Sequence, residues 1–276
     1  MVELLGTRLN RYEIRERIGK GGMAAVYKAW DVNLERWVAV KVLHTHLSDQ
    51  EDFKERFERE AKLIASLNHP NIVQVYDFDT VERNGERIYY MVMTYVEGQT
   101  LRQVMEQRRA SGERFSLAEI GAIMRGVCAA LSYAHKRGMV HRDVTPGNIL
   151  FNAEEQPVLA DFGIARMVEG ARITRSGTTS GTPIYMSPEQ STGAESDHRA
   201  DIYSLGVILF ELLSGKAPYE GESTVAILMK HVNDPIPKVT DLVPGLPPAA
   251  DIIVARALAK SPEARYQSVE AFLHDL

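Results

Sequence analysis

The stretch His141-Arg142-Asp143-Val144-Thr145-Pro146-Gly147-Asn148, with Asp161-Phe162-Gly163 downstream, decides the reading of this chain. It supplies a carboxylate, an amide and a second carboxylate. Between them lie two short apolar patches, Ile149-Leu150-Phe151 and Pro157-Val158-Leu159-Ala160. The patches predict a hairpin that brings the three polar side chains together. Phosphoryl transfer needs a carboxylate to orient a hydroxyl and accept its proton, and oxygen ligands for Mg²⁺. Asp143 suits the first task, and Asn148 with Asp161 suits the second.

Upstream, Tyr12–Ile18 and Ala25–Trp30 alternate with period two, predicting antiparallel strands joined by the turn Gly19-Lys20-Gly21-Gly22. Glycines there let backbone approach phosphate oxygens without a Cβ in the way. Alone the signal is weak, since tight hairpins use glycine without ligands and Ala24 stands where the usual pattern has a third glycine. Trp37–Leu43 is a third strand and carries Lys41. A helix opened by a Ser48/Glu51 capping box presents Phe53, Phe57, Ile64 and Leu67 on one stripe, with Glu60 on the same stripe. An inward carboxylate needs a cationic partner, and Lys41 is the natural one. The pair would hold the lysine against phosphate oxygens. His69-Pro70-Asn71 ends the helix, and strands are predicted near Ile72–Phe78 and Ile88–Tyr95.

Beyond Glu97-Gly98 the pattern is helical. Ser116 and Glu119 form a second capping box before Ile120, Ile123, Val127, Leu131 and Ala134, and Gly138 closes that helix. Ile202–Leu213 is apolar nearly all round, a buried helix stopped by Gly215 and Pro218. Further helices are predicted near Ala249–Lys260 and Val269–Leu276. The predicted fold class is α+β: a small antiparallel-sheet lobe with one long helix over 1–96, and a larger, mainly helical lobe over 97–276. The hinge lies near Thr94–Gly98.

The 276 residues are 45% hydrophobic and 25% charged, which excludes a disordered, collagenous or coiled-coil class. A net charge of −5 gives no global attraction to nucleic acid or anionic lipid, so neither partner is expected. Cys128 is the only cysteine, so no internal disulfide forms, and its apolar surroundings read as core packing. The most apolar run, Leu205–Leu213, falls short of the ~20 residues that span a bilayer, and the N-terminus lacks a signal-peptide pattern.

The ordered set of Gly-rich turn, Lys41, Glu60, His-Arg-Asp, Asp-Phe-Gly and Ser187-Pro188-Glu189 resembles a eukaryotic-type protein kinase domain across essentially the whole chain. Gly21-Gly22-Met23, Ala160–Ala165 and Gly181–Gln190 are similar to the bacterial Ser/Thr branch. The resemblance implies a kinase that uses ATP with Mg²⁺ or Mn²⁺ to phosphorylate serine and threonine of proteins. Lys41 would bind the α/β-phosphates and pair with Glu60. Asp143 would be the catalytic base, with Asn148 and Asp161 as metal ligands. Gly19 and Gly21 would lie over the phosphates, and Ile18, Val26, Ala39 and Leu150 would wall the adenine. Met93 would be the gatekeeper, and the backbone at Thr94, Tyr95 and Val96 would meet the adenine edge. Ile64, Val75, Phe162 and His141 would stack as a spine. Asp201 would anchor the catalytic loop, and Glu189 would pair with Arg265; both roles are architectural.

The segment from Asp161 to Glu189 holds Thr174, Ser176, Thr178, Thr179 and Ser180. Arg142 offers a cation to a phosphate there, and the family pattern implies autophosphorylation in trans, mainly at Thr174 and Ser176, through a transient homodimer. Pro146 and Gly181-Thr182 follow the Ser/Thr rather than the tyrosine pattern. The chain departs from the family at Thr145, where a lysine normally touches the transferring phosphate. Two readings follow: a kinase whose rate is unchanged or lowered, or a pseudokinase that binds nucleotide and signals by conformation. A small-molecule kinase is a third reading, opposed by the peptide-platform pattern Gly181–Glu189. Related bacterial kinases often continue into a linker, a membrane span and a sensor. The expected location is therefore cytoplasmic, free or as the intracellular part of such a protein.

Overall fold

Alternating side chains make the first sheet. The computed structural model describes residues 4–21, 24–43, 59, 61–83, 85–162 and 183–276. These fall into two compact units, 4–97 and 98–162 with 183–276.

The first unit is a six-stranded sheet of β1 (Arg8–Leu9), β2 (Tyr12–Lys20), β3 (Ala24–Asp31), β4 (Arg36–Leu43), β5 (Val75–Arg83) and β6 (Glu86–Thr94). Their order is β1-β2-β3-β4-β6-β5, with every pair antiparallel. On β3, Ala25, Tyr27 and Ala29 are buried, and they register opposite Val42, Val40 and Val38 of β4. Together with Ile14, Tyr90 and Val92 they form one core. The opposite face carries Val26, Lys28 and Trp30, registered with Lys41, Ala39 and Trp37.

The predicted strands run as expected, with two differences. The β2–β3 ladder extends to Lys20 opposite Ala25, and the Gly21 N–H donates to Ala24 O at 2.8 Å, so the turn begins later than Gly19. The strand expected near Ile72–Phe78 lies at Val75–Arg83. Ile72 instead turns back on His69, donating its N–H to that carbonyl at 3.0 Å. Ile72 and Val73 are buried and precede β5. Of the predicted long helix, residues 61–65 are helical, with Ala61, Ile64 and Leu67 buried. Ser48, Glu51, Phe53, Phe57 and Glu60 lie outside the described residues.

The second unit opens with α1 (Leu101–Ser111), capped by Thr100 and Gln103 in a reciprocal box. The predicted helix follows as α2 (Leu117–His135), with Ser116 and Glu119 forming the expected box and Gly138 at φ 73° ending the segment. The Glu119 carboxyl is held at about 2 by the Arg108 guanidinium and its bonds to Ser116. By length and composition α2 is the one described helix suited to a membrane. It packs instead on α7 (Val269–Asp275) and on β8 (Pro157–Leu159), the antiparallel partner of β7 (Ile149–Phe151). Cys128 is buried in this helix, and burial pushes its thiol up to about 12.

A short helix, α3 (Pro188–Ser191), precedes the central helix α4 (Arg199–Ser214), in which every residue from Ala200 to Leu213 is buried. Helices α5 (Thr224–Asn233), α6 (Ala249–Ala257) and α7 complete the unit. Gly206 permits the close approach of α4 to α6, since a Cβ there would lie 2.7 Å from Ala257 Cβ.

Candidate active site

Three main-chain and side-chain donors converge on one buried carboxylate. Asp201, in the first turn of α4 and fully buried, accepts the His141 N–H at 2.9 Å and the Arg142 N–H at 2.7 Å. His135, at the end of α2, adds its Nε2 at 2.8 Å. Burial alone would push the Asp201 carboxyl up, but the His135 hydrogen bond and the backbone donors hold it below the ordinary value of 3.8. This anchoring fixes Arg142 at φ 65°, a left-handed conformation a non-glycine residue keeps only when its surroundings enforce it. Asp201→Asn keeps the shape but presents an NH₂ to these donors. It is expected to lower stability by about 1–3 kcal/mol in denaturant titration, with a parallel fall in activity.

His141 is fully buried, and its two ring nitrogens have different tasks. Nε2 lies 2.8 Å from Ala160 O and donates to it; Nδ1 accepts the Asp143 N–H at 3.2 Å. One donor and one acceptor require the neutral imidazole with its proton on Nε2. The ring also packs on Phe162 at 4.5 Å. His141 thus joins the strand end at Ala160, and so Asp161, to the loop carrying Asp143.

Asn148 closes the arrangement. Its Nδ2 donates to Asp143 O at 2.8 Å and to Asp143 Oδ2 at 3.1 Å. Its own carbonyl accepts the Ala160 N–H at 2.8 Å, continuing the β7–β8 ladder. With Nδ2 committed, the side-chain oxygen is the Asn148 group that could meet a cation, and Asp161, one residue past the bridged Ala160, is half-buried at φ 68°. An amide oxygen and a carboxylate are the hard donors that Mg²⁺ or Mn²⁺ prefers, so these residues fit a divalent cation. Thr145 is 6% exposed in the same loop, and Pro146 O accepts the Arg102 N–H at 3.0 Å. Gly98 is required here: a Cβ would stand 1.9 Å from Phe151 O. Leu150 is half-buried beside it and bridges Thr100.

Arg265 and Glu189 form the expected pair, with both contacts at 2.7 Å. The guanidinium is buried, and its remaining N–H groups reach Ala259 O, Arg199 O and Lys260 O at 2.8–3.2 Å, so all five donors are used. Ser187 and Gln190 cap α3 reciprocally, and Gln190 Nε2 also donates to Arg142 O at 2.8 Å.

In the first unit, Val26, Ala39 and Lys41 share one sheet face with Met93, which is registered opposite Ala39. Lys41 and Met93 are buried, whereas Ile18 is 43% exposed. Gly19 is registered opposite Val26. Thr94 ends β6 and donates its N–H to Gln74 O at 2.9 Å; Tyr95 and Val96 follow outside any helix or strand. Glu60, Thr174, Ser176, Thr178, Thr179 and Thr182 lie outside the described residues.

Two features are absent from the sequence reading. His135 gave no signal, because a histidine ending a helix has many uses. Glu211, read only as an interruption in the apolar run, accepts from Tyr185 and from Arg102 Nη1 at 3.2 Å, while Arg102 also bonds the Tyr185 hydroxyl. A buried acid in an apolar helix announces a partner, but sequence does not say which.

The family profile described as "Protein kinase domain" matches residues 12–276. Among curated proteins, the chain is 41% identical over 273 residues to a probable serine/threonine-protein kinase PknB of Bifidobacterium longum, covering 96% of this chain and 39% of that protein. It is 39% identical to the serine/threonine-protein kinase PrkC of Bacillus subtilis, covering 99% of this chain and 41% of that protein. The chain thus spans about two fifths of the length of these relatives. Among solved structures, the PknI kinase domain of Mycobacterium tuberculosis superposes with a TM-score of 0.77 at 30% identity, covering 100% of this chain and 98% of that one. The family uses ATP and a divalent cation and acts on proteins. Fold, loop geometry and these similarities agree: the chain belongs to the protein kinase family, in its bacterial serine/threonine branch.

Proposed function

We propose that this chain transfers the γ-phosphoryl group of ATP to serine and threonine hydroxyls of proteins. The observation that carries the reading is the Asp143–Asn148 pair, joined at 2.8 and 3.1 Å and fixed to the frame of His141 and Asp201. In this reading Asp143 Oδ orients the incoming hydroxyl and takes its proton as the new bond to the γ-phosphorus forms and the bond from that phosphorus to the β,γ-bridging oxygen breaks, releasing ADP. Asn148 and Asp161 hold Mg²⁺ or Mn²⁺. When bound, the cation neutralises charge on the phosphate oxygens. Lys41 holds the α/β-phosphates, paired with Glu60, under the turn at Gly19 and Gly21. Ile18, Val26, Ala39 and Leu150 enclose the adenine, Met93 limits its depth, and main chain at Thr94–Val96 meets its edge. Incubation with γ-labelled ATP and Mg²⁺ is expected to yield phosphoserine and phosphothreonine on a protein substrate. Transfer no greater than that of Asp143→Asn would contradict the reading.

Regulation follows the same chemistry. Thr174 and Ser176, with Thr178 and Thr179 as lesser sites, are phosphorylated in trans within a transient homodimer, and Arg142 receives the phosphate. Thr182 and the Glu189–Arg265 pair support the peptide platform. The domain acts in the cytoplasm, where ATP is supplied. At Thr145 the loop lacks a cation beside the transferring phosphate, and one such contact is worth roughly 10²–10³ in rate. Thr145→Lys is therefore expected to raise kcat on a fixed peptide by at least about tenfold; an unchanged kcat would show that Lys41 and the cation suffice.

A further inference from the structure

Lys28 lies on the sheet face that carries Val26, Ala39 and Lys41, directly opposite Ala39. A strand lysine on an open face usually extends into water. This one does not. Its Nζ stands 4.5 Å from the centroid of the Trp37 ring and 4.4 Å from that of Tyr95. Glu16 registers opposite Lys28 on β2, yet the ammonium lies over the two rings. Trp37 is braced in turn by Trp30, edge-on at 5.0 Å and 68°.

The location gives the clasp its consequence. Val38 opposite Thr94 is the last pair of the β4–β6 ladder, so Trp37 and Tyr95 are each one residue beyond it. There the β4–β6 register no longer fixes the chain. A cation between two aromatic faces is attracted to both, and here the rings belong to β4 and to the segment after β6. The lysine therefore ties the main chain at Tyr95 back to the sheet.

We infer that Lys28 is a positioning residue for nucleotide binding: by clasping Trp37 and Tyr95 it pre-sets the main chain at Thr94–Val96 that meets the adenine edge. This inference rests on the function proposed above. Its physical basis is preorganisation: a segment already held in its binding conformation loses less entropy when ligand arrives. Lys28 touches no phosphate and takes no part in proton transfer, so its effect falls on affinity rather than on the chemical step.

The test uses the whole chain with Lys28→Met, which keeps the apolar stem and removes the charge, and Lys28→Arg, which keeps the cation. Calorimetric titration with MgADP is expected to show Kd raised about fivefold in Lys28→Met and within about twofold of wild type in Lys28→Arg. The KM for ATP should rise in parallel, with kcat at saturating ATP unchanged. Trp30 and Trp37 are the only two tryptophans in the chain, so intrinsic fluorescence should also shift in nucleotide-free Lys28→Met. An unchanged Kd in Lys28→Met, whether or not its melting temperature falls, would overturn the inference and leave ordinary surface packing. A lowered kcat at constant Kd would overturn it as well. Wild-type protein that binds MgADP but phosphorylates nothing would refute the function reading alone, because the affinity comparison stands without turnover. Wild-type protein with no affinity for MgADP would remove both.

Discussion

Asp143→Asn is expected to lower peptide phosphorylation by about two to four orders of magnitude, the range a positioned general base supplies, while nucleotide affinity stays near that of wild type. The substitution keeps shape and hydrogen-bonding capacity, so Asn148 Nδ2 retains an acceptor in place of Asp143 Oδ2 and the 2.8 Å bond to Asp143 O is untouched. The His141 Nδ1 acceptor likewise sees the same backbone N–H. What is lost is the carboxylate, and with it the group that takes the hydroxyl proton. Steady-state assays at saturating ATP, beside a calorimetric Kd for MgADP, separate the two quantities. A loss of nucleotide binding equal to the loss of rate would mean that the loop had collapsed and that Asp143 has no distinct chemical role.

Arg265→Met is the structural counterpart. It leaves the half-buried Glu189 carboxylate and three carbonyl oxygens without their donor. Breaking a buried ion pair from one side costs about 3–5 kcal/mol, which for a domain of this size lowers Tm by roughly 10 °C. The pH dependence carries a second signature. Burial pushes the Glu189 carboxyl up, but the Arg265 hydrogen bonds and charge hold it below its ordinary 4.5. The folded state therefore binds its proton less readily than the unfolded chain. The stability gained is complete above about pH 4.5 and is lost as pH falls through the lower, folded value. In Arg265→Met the two Arg265 contributions are gone and only Ser187 and the local backbone N–H still oppose burial, so the carboxyl rises from its wild-type value and the stability gap to wild type shrinks as pH falls. Denaturant titrations at about pH 7 and about pH 4 should show the gap between the two proteins narrowing. A loss under about 1 kcal/mol at neutral pH would mean that the pair contributes little.

Patterns that depend on local period were legible in the sequence. The buried helix predicted at Ile202–Leu213 is α4, and the Ser116/Glu119 box opens α2 where expected. Helices α1 and α5 are not among the predicted helices. Only Leu101 and Met105 of α1 are buried, and only His231 of α5, so neither has the broad apolar stripe that marks a helix in sequence. Their caps were nevertheless present: Thr100 with Gln103, and Ser223 before α5. Strand β5 was misplaced because Ile72 and Val73 are as apolar as a strand needs, yet they precede it, with Ile72 held by its N–H to His69 O. Beyond Phe78 the true strand is polar and half-exposed.

At the site, residue types conveyed chemistry but not frame. Asp143, Asn148 and Asp161 were recognisable because phosphoryl transfer needs those groups. The tautomer of His141, the convergence of His135 on Asp201, and the Glu211–Tyr185–Arg102 cluster depend on contacts between segments far apart in the chain. No local pattern encodes them. The Lys28 clasp is the same kind of feature: alternation placed Lys28, Trp37 and Ala39 on strands, but only the β3–β4 register and the end of β6 bring the ammonium to two rings.

The central claim is that Asp143, held by Asn148 and the Asp201 anchor, supports phosphoryl transfer from ATP. Intact-mass spectrometry tests it most directly, on wild type, on Asp143→Asn, and on a mixture of the two in which Asp143→Asn carries a short tag that sets its mass apart, each incubated with ATP and Mg²⁺. The account predicts added phosphate on wild type, none on Asp143→Asn alone, and phosphate on Asp143→Asn when wild type is present. Equal phosphate on wild type and on isolated Asp143→Asn, or none on wild type with an added peptide also unmodified, would contradict it.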